Sequence, residues 1–176
     1  MDKLSPQLFK KLMDFAYQAY QEESHKDTLR QKGKTPYITH PVFAASLLLA
    51  DRRIPWKDRF IGYQVLILHD VLEDTNAKLP DWLSDEVING VKELTFKDSL
   101  SLENKFEIVK KKDDFIKLLY LCDTLSNLYE EHVALPVKRR KLWKEMVGWF
   151  AREVEKAYGD IRVVEVANAM IENTDW

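Results

Sequence analysis

The chain is poor in the residues that break or cross-link a fold. One cysteine, Cys122, stands in 176 residues. A lone thiol closes no internal disulfide, which excludes a disulfide-stapled secreted scaffold. Five glycines and six prolines are few. They predict long regular elements with short loops, and the leucine- and lysine-rich composition makes those elements helices. No apolar run approaches the ~20 residues of a membrane span. The start, MDKLSPQLFKK, lacks the apolar centre of a signal peptide. A cytoplasmic protein with no membrane partner is expected. The net charge of −2 gives no electrostatic basis for general nucleic-acid binding, although a local basic patch is left open.

Hydrophobic residues make up 45% of the chain and aromatics 11%, enough for one domain with a proper core. Ser5-Pro6 starts a helix that the spacing of Leu8, Leu12, Phe15, Ala16 and Ala19 carries to about Glu23. A polar, basic loop follows, from His25 to Lys34. Pro41 fits the first turn of a second helix, which places His40 just before it. Asp51 to Trp56 is a turn, and Asp58 to about Leu72 a third helix. Ser84 caps a short helix through Leu94. Further helices are predicted over Ser101–Lys112, Asp113–Glu131, Pro136 to about Tyr158, and Ile161–Ile171, with Gly159 ending the penultimate one. The β signal is weak throughout.

The third helix ends in LILHDVLEDT, Leu66 to Thr75. An apolar run leads straight into His69, Asp70, Glu73 and Asp74. Residues four apart share a helix face. Charges at a buried helix end need partners or a metal. Two other residues match the cluster: His40, and Asp123 in the apolar stretch LLYLCDTLSNL. Two His and two Asp from three segments suit an octahedral divalent cation. Mixed imidazole and carboxylate donors fit Mn²⁺, Fe²⁺ or Zn²⁺, and Mn²⁺ best when oxygen supplies half the set.

His40, His69-Asp70 and Asp123, in this order, resemble the H…HD…D signature of the HD superfamily of metal-dependent phosphohydrolases. TPYITHP, LHDVLEDT and LYLCDTLSNL resemble, more closely, the hydrolase domain of RelA/SpoT-type alarmone enzymes, including small stand-alone members. The likeness covers roughly residues 10 to 130, with helices over about 136–172 completing the bundle. It implies an all-α HD-domain helical bundle as a single domain, 1–176. It implies His40, His69, Asp70 and Asp123 as metal ligands, with Mn²⁺ or another divalent metal. Glu73 and Asp74 become the catalytic carboxylates that orient or activate water. Arg30, with Lys32 beside it, falls on the substrate's phosphates, and Asn127 near its ribose or 3′-phosphate. The implied reaction removes the 3′-pyrophosphate of guanosine tetra- or pentaphosphate. With 176 residues, no second nucleotidyl-transfer domain is expected. A homo-oligomer is left open.

The chain departs from this pattern on the substrate side. Thr124 stands where a Lys usually follows the ligand Asp, Gln31 where a Lys follows the loop Arg, and Tyr129 where an Arg follows Asn-Leu. A different HD nucleotide hydrolase therefore competes: a 5′-nucleotidase, a 2′-phosphatase acting on a dinucleotide cofactor, or a hydrolase of adenosine alarmones. So does a degenerate nucleotide-binding module. Taken singly, the residues have plainer readings. His69-Asp70 is an ion pair, Asn127 bonds Asp123, Arg30, Lys32 and Lys34 are a solvated run, and Cys122 is core.

Overall fold

A computed structural model describes residues 5–22, 29–30, 35–96, 99–131 and 137–173. The chain folds into helices α1 (Pro6–Glu22), α2 (Thr39–Leu49), α3 (Trp56–Leu68), α4 (Val71–Asp74), α5 (Asp85–Leu94), α6 (Leu102–Val109), α7 (Asp114–Glu131), α8 (Val137–Tyr158) and α9 (Arg162–Asn173). The all-α expectation holds. One small exception lies in the segment predicted as loop: β1 (Leu29–Arg30) pairs antiparallel with β2 (Thr35–Pro36), Leu29 opposite Pro36 and Arg30 opposite Thr35.

Several helix starts carry the caps their sequences promise. The Ser5, Ser84 and Ser101 hydroxyls accept from the N–H groups of Leu8, Val87 and Asn104. Asp113 accepts from Ile116 N at 2.8 Å to open α7. Gly159, with φ of +76°, closes α8 in the left-handed region, and its N–H bonds Glu155 O at 2.8 Å.

Two boundaries differ from the sequence reading. Helix α2 begins at Thr39, so His40 lies inside its first turn and not before it. The third predicted helix is broken. It stops at Leu68, turns through His69 and Asp70, and resumes as α4. The cause is local competition for backbone groups. The His69 ring takes Leu66 O at 2.7 Å, and the Tyr20 hydroxyl donates to Ile67 O at 3.3 Å while the Asp70 N–H turns toward it. Both carbonyls would otherwise serve the next helical turn. Through the break His69 (φ −58°, ψ −36°) and Asp70 (φ −89°, ψ −4°) keep right-handed backbone angles.

Helix α2 packs on α3 and α7, α8 lies between α7 and α9, and α5 packs on α3. Leu48, Leu66, Leu119 and Leu125 are fully buried at these contacts. Phe150 meets Phe106, Tyr120 and Trp149 at centroid distances of 5.0–5.4 Å and is fully buried in the core. The first turn of α9 is tied back to the α2–α3 turn. Asp51 accepts from Arg162 N and from the Arg53 guanidinium, which also reaches Glu165 at 2.9 Å. Burial would raise the Asp51 carboxyl, but Arg53 and these N–H donors hold it down at about 2.

Gly62 of α3 sits where α2, α3 and α7 meet. A β-carbon there would lie 2.4 Å from Leu48 Cδ2 and 2.7 Å from Leu119 Cδ2. Both leucines are fully buried and must shift together. Overpacking of this kind costs about 1–3 kcal/mol, partly offset by alanine's better helix propensity. Gly62→Ala is therefore expected to lower the unfolding free energy in urea by about 1–2 kcal/mol. An unchanged denaturation midpoint would show that the three helices are less tightly packed than the structure shows.

Candidate metal centre

Three elements that are distant in sequence place their polar residues at one point. The first turn of α2 supplies His40, the α3–α4 break supplies His69 and Asp70, and the middle of α7 supplies Asp123. His40 Nε2 lies 3.0 Å from Asp123 Oδ1 and 3.7 Å from Asp70 Oδ2. His69 Nε2 lies 3.3 Å from Asp123 Oδ1 and 3.2 Å from Asp70 Oδ2. His40, His69 and Asp123 each offer a ligand atom within 4.8 Å of the others. Asp70 borders this trio through its contacts with both imidazoles.

The donor set fits a divalent cation. Ligand atoms bound at about 2.1 Å and at right angles lie about 3 Å apart, and the spacings here are 3.0–3.7 Å. The imidazoles are buried, at 1% and 3% exposure. His69 donates Nδ1–H to Leu66 O at 2.7 Å, since a carbonyl can only accept. Its Nε2 is thereby left as a lone pair aimed at the carboxylates. That atom is fully buried and makes no hydrogen bond among the described residues. An orphaned buried nitrogen between two carboxylates is a position that draws a proton or a cation. Burial would lower the His69 imidazole, but the Asp70 and Asp123 carboxylates outweigh it and push it up to about 10. In turn, burial would raise Asp123, and the two imidazoles hold it far below the ordinary carboxylate range.

Around this point runs a ring of hydroxyl and amide groups. Tyr37 Oη lies 2.7 Å from Asp70 Oδ2 and 2.6 Å from Asp74 Oδ2. One phenol proton thus serves two carboxylates and holds both in one frame. Burial and these two negative charges keep the phenol protonated far above its ordinary range. Tyr20 packs against Tyr37 at 5.1 Å. Asn127 donates to Asp123 Oδ1 at 2.9 Å and to its carbonyl at 3.2 Å, the plainer of its two readings. Ser126 meets His40 Nδ1 at 2.7 Å.

The two expected catalytic carboxylates have different surroundings. Asp74 is 4% exposed and held by Tyr37. Glu73 faces α6, where Lys105 Nζ is 3.1 Å from Oε1 and Phe96 N donates to Oε2 at 3.1 Å. The structure therefore gives Glu73 an anchoring role that its sequence neighbours do not show. Arg30 lies in β1, with its side chain outside the described set, and Lys32 lies outside the described residues. Ser126, Tyr20 and Lys105 were missed in the sequence. Ser126 had a signal, one turn beyond Asp123 on the same helix. Lys105 had none, because it arrives from a separate helix.

The helical fold with paired histidines and carboxylates at its centre is an HD-type helical domain. No family model matches the chain. The human guanosine-3′,5′-bis(diphosphate) 3′-pyrophosphohydrolase MESH1 is 30% identical over 166 residues, covering 88% of this chain and 87% of that protein. The bifunctional (p)ppGpp synthase/hydrolase SpoT of Escherichia coli (strain K12) is 29% identical over 136 residues. That match covers 70% of this chain, which spans only 18% of SpoT's length. A solved structure reported as a metazoan ortholog of SpoT that hydrolyzes ppGpp superposes with a TM-score of 0.71 at 21% identity. The superposition covers 98% of this chain and 97% of that one and carries the fold. The chain belongs to the MESH1 family of guanosine-3′,5′-bis(diphosphate) 3′-pyrophosphohydrolases.

The Glu73–Lys105 pair generates a pH-dependent prediction. Burial raises the Glu73 carboxyl, while Lys105 and the Phe96 N–H pull it back. A carboxyl raised on folding destabilises the fold as pH climbs from its unfolded value, about 4.3, through its folded one. Lys105→Met removes the compensating cation and widens that interval. Its Tm deficit against wild type is expected to be larger at pH 7.5 than at pH 4.5. An equal deficit at both values would show that the ion pair contributes nothing to the charged state of Glu73.

Proposed function

We propose that the chain is a divalent-metal phosphohydrolase that removes the 3′-pyrophosphate of guanosine tetra- or pentaphosphate, giving GDP or GTP and pyrophosphate. One observation carries the reading. His40, His69 and Asp123 offer ligand atoms within 4.8 Å of one another, in a chain that matches a hydrolase of that name over most of both lengths. His40, His69, Asp70 and Asp123 would hold the metal, and a donor set half oxygen and half imidazole favours Mn²⁺. A bound cation would supply Lewis acidity for the phosphate and for the ionisation of water.

The side chains supply the rest. Asp74, fixed by Tyr37, is placed to orient water and accept its proton. The water oxygen bonds to the phosphorus next to the ribose and the P–O3′ bond breaks. The departing 3′ oxygen then takes up a proton. That proton comes from solvent water, since both Glu73 oxygens are engaged, Oε1 by Lys105 and Oε2 by the Phe96 N–H. Arg30 and Lys32 would neutralise the pyrophosphoryl oxygens. Asn127 keeps Asp123 aimed at the cation and borders the ribose side.

The test is purified protein with Mn²⁺ and guanosine tetraphosphate, reading pyrophosphate and GDP. Equal release of the two is expected, abolished by chelation and reduced at least ~100-fold in Asp70→Ala. Orthophosphate without pyrophosphate would overturn the substrate assignment in favour of another nucleotide phosphohydrolase.

A further inference from the structure

We infer that Ser126 is a positioning residue of this centre. It fixes the tautomer of His40 so that Nε2 is presented to the cation. The inference rests on reading the His40, His69 and Asp123 cluster as a metal centre, and it does not depend on which phosphate is cut.

The case is a proton count. Ser126 is fully buried on α7, one turn after Asp123. Its Oγ has two partners, both from His40: ring Nδ1 at 2.7 Å and backbone O at 3.1 Å. A hydroxyl has one proton to donate, and a carbonyl can only accept. The Ser126 proton therefore goes to His40 O, and Oγ accepts from His40 Nδ1–H. The remaining nitrogen, Nε2, presents its lone pair to Asp123 Oδ1 at 3.0 Å. A ring nitrogen and a carboxylate oxygen facing each other at that distance share either a proton or a metal cation, and Nε2 is the nitrogen that a metal would take.

The second histidine reaches the same state by another route. His69 Nδ1–H is taken by Leu66 O at 2.7 Å, within its own helix. His40 lies in the first turn of α2, and its ring nitrogen meets a group from α7. Ser126 supplies the acceptor that the local backbone supplies to His69. One turn of α7 thus carries a ligand, Asp123, the amide that aims that ligand, Asn127, and the hydroxyl that aims the opposing imidazole, Ser126. Groups that orient a ligand imidazole in this way typically contribute 10–100-fold to metal affinity.

The experiment is a calorimetric titration of the whole protein with Mn²⁺ alone, with no nucleotide present. Ser126→Ala is expected to bind Mn²⁺ 10–100-fold more weakly than wild type, and Ser126→Thr, which keeps the hydroxyl, to recover most of the loss. A purely structural serine would lower Tm and leave the affinity of the folded protein unchanged, and that result overturns the inference. A second measurement on wild type guards against variants that fail to fold. In ¹⁵N-histidine-labelled protein loaded with diamagnetic Zn²⁺, His40 is expected to show a protonated Nδ1 and a metal-bearing Nε2. Coordination through Nδ1, or a protonated Nε2, overturns the inference. If wild type binds neither ion, the metal reading and the inference fall together. If the metal results stand while guanosine tetraphosphate is left uncleaved, only the substrate assignment fails.

Discussion

Asp123 between two imidazoles is the constraint around which the chain is arranged. A carboxylate in the middle of an apolar helix is costly unless positive charge meets it. Here His40 comes from α2 and His69 from the end of α3, both within 3.3 Å of one oxygen. For both to reach it, α2, α3 and α7 must meet closely. The glycine at position 62 allows that approach by leaving room for Leu48 and Leu119. The tight apolar contact and the polar centre thus depend on the same three helices. The packing that excludes water is also what makes the charges interact strongly.

The second level of order is a set of neutral groups that tell each charged group where to point. Leu66 O and Ser126 set the imidazoles, Asn127 sets Asp123, and Tyr37 joins Asp70 to Asp74. These bonds are 2.6–2.9 Å long and come from one backbone carbonyl and three side chains that do not themselves titrate near neutral pH. Tyr20 does two jobs. Its ring packs against Tyr37 at a 35° tilt, and its hydroxyl helps to break the helix at Asp70. The break matters for the chemistry. A continuous helix would have kept His69 and Asp70 about 100° apart around one axis, on neighbouring faces. Here the two side chains meet, with His69 Nε2 3.2 Å from Asp70 Oδ2.

The helices were legible because their signals are local. Serine caps, a glycine after α8 and apolar repeats at helical spacing act within a few residues, and the structure keeps them. The meeting of His40, His69 and Asp123 was also legible, since His and Asp stand out in apolar runs and their order resembles a known signature. The helix break and the hydroxyl ring were not legible. Tyr20 and His69 reach across the fold, or back along it, to take carbonyls that a sequence pattern assigns to the helix. Ser126 and Tyr37 look like ordinary helix and turn residues until α2 is laid against α7. Glu73 shows the same limit in reverse. Its neighbours in the sequence suggest an acid beside a metal, and only the docking of α6 shows the lysine that holds it.

Of the departures from the resembled pattern, Thr124 and Tyr129 lie on α7, Thr124 directly after Asp123, and Gln31 lies outside the described residues. Thr124, in place of a lysine, is fully buried, and its hydroxyl has no hydrogen bond among the described residues. Tyr129, in place of an arginine, is 67% exposed and stacks on Phe43 at 5.1 Å. An aromatic ring can cover a base or a ribose face, but it cannot neutralise a phosphate as a guanidinium does. A doubly phosphorylated 3′ group still needs its charge met. Lys105 is engaged with Glu73 and Lys117 with Asp114, at 3.1 and 3.0 Å. The proposed reaction thus shifts that demand onto the cation and onto Arg30 and Lys32. Under the proposed reaction, substrate choice would follow from a basic segment preceding α2, and the site of bond breaking from the helices. The two could then vary independently, because His40, His69, Asp70 and Asp123 would hold the cation and leave the far phosphate to that segment.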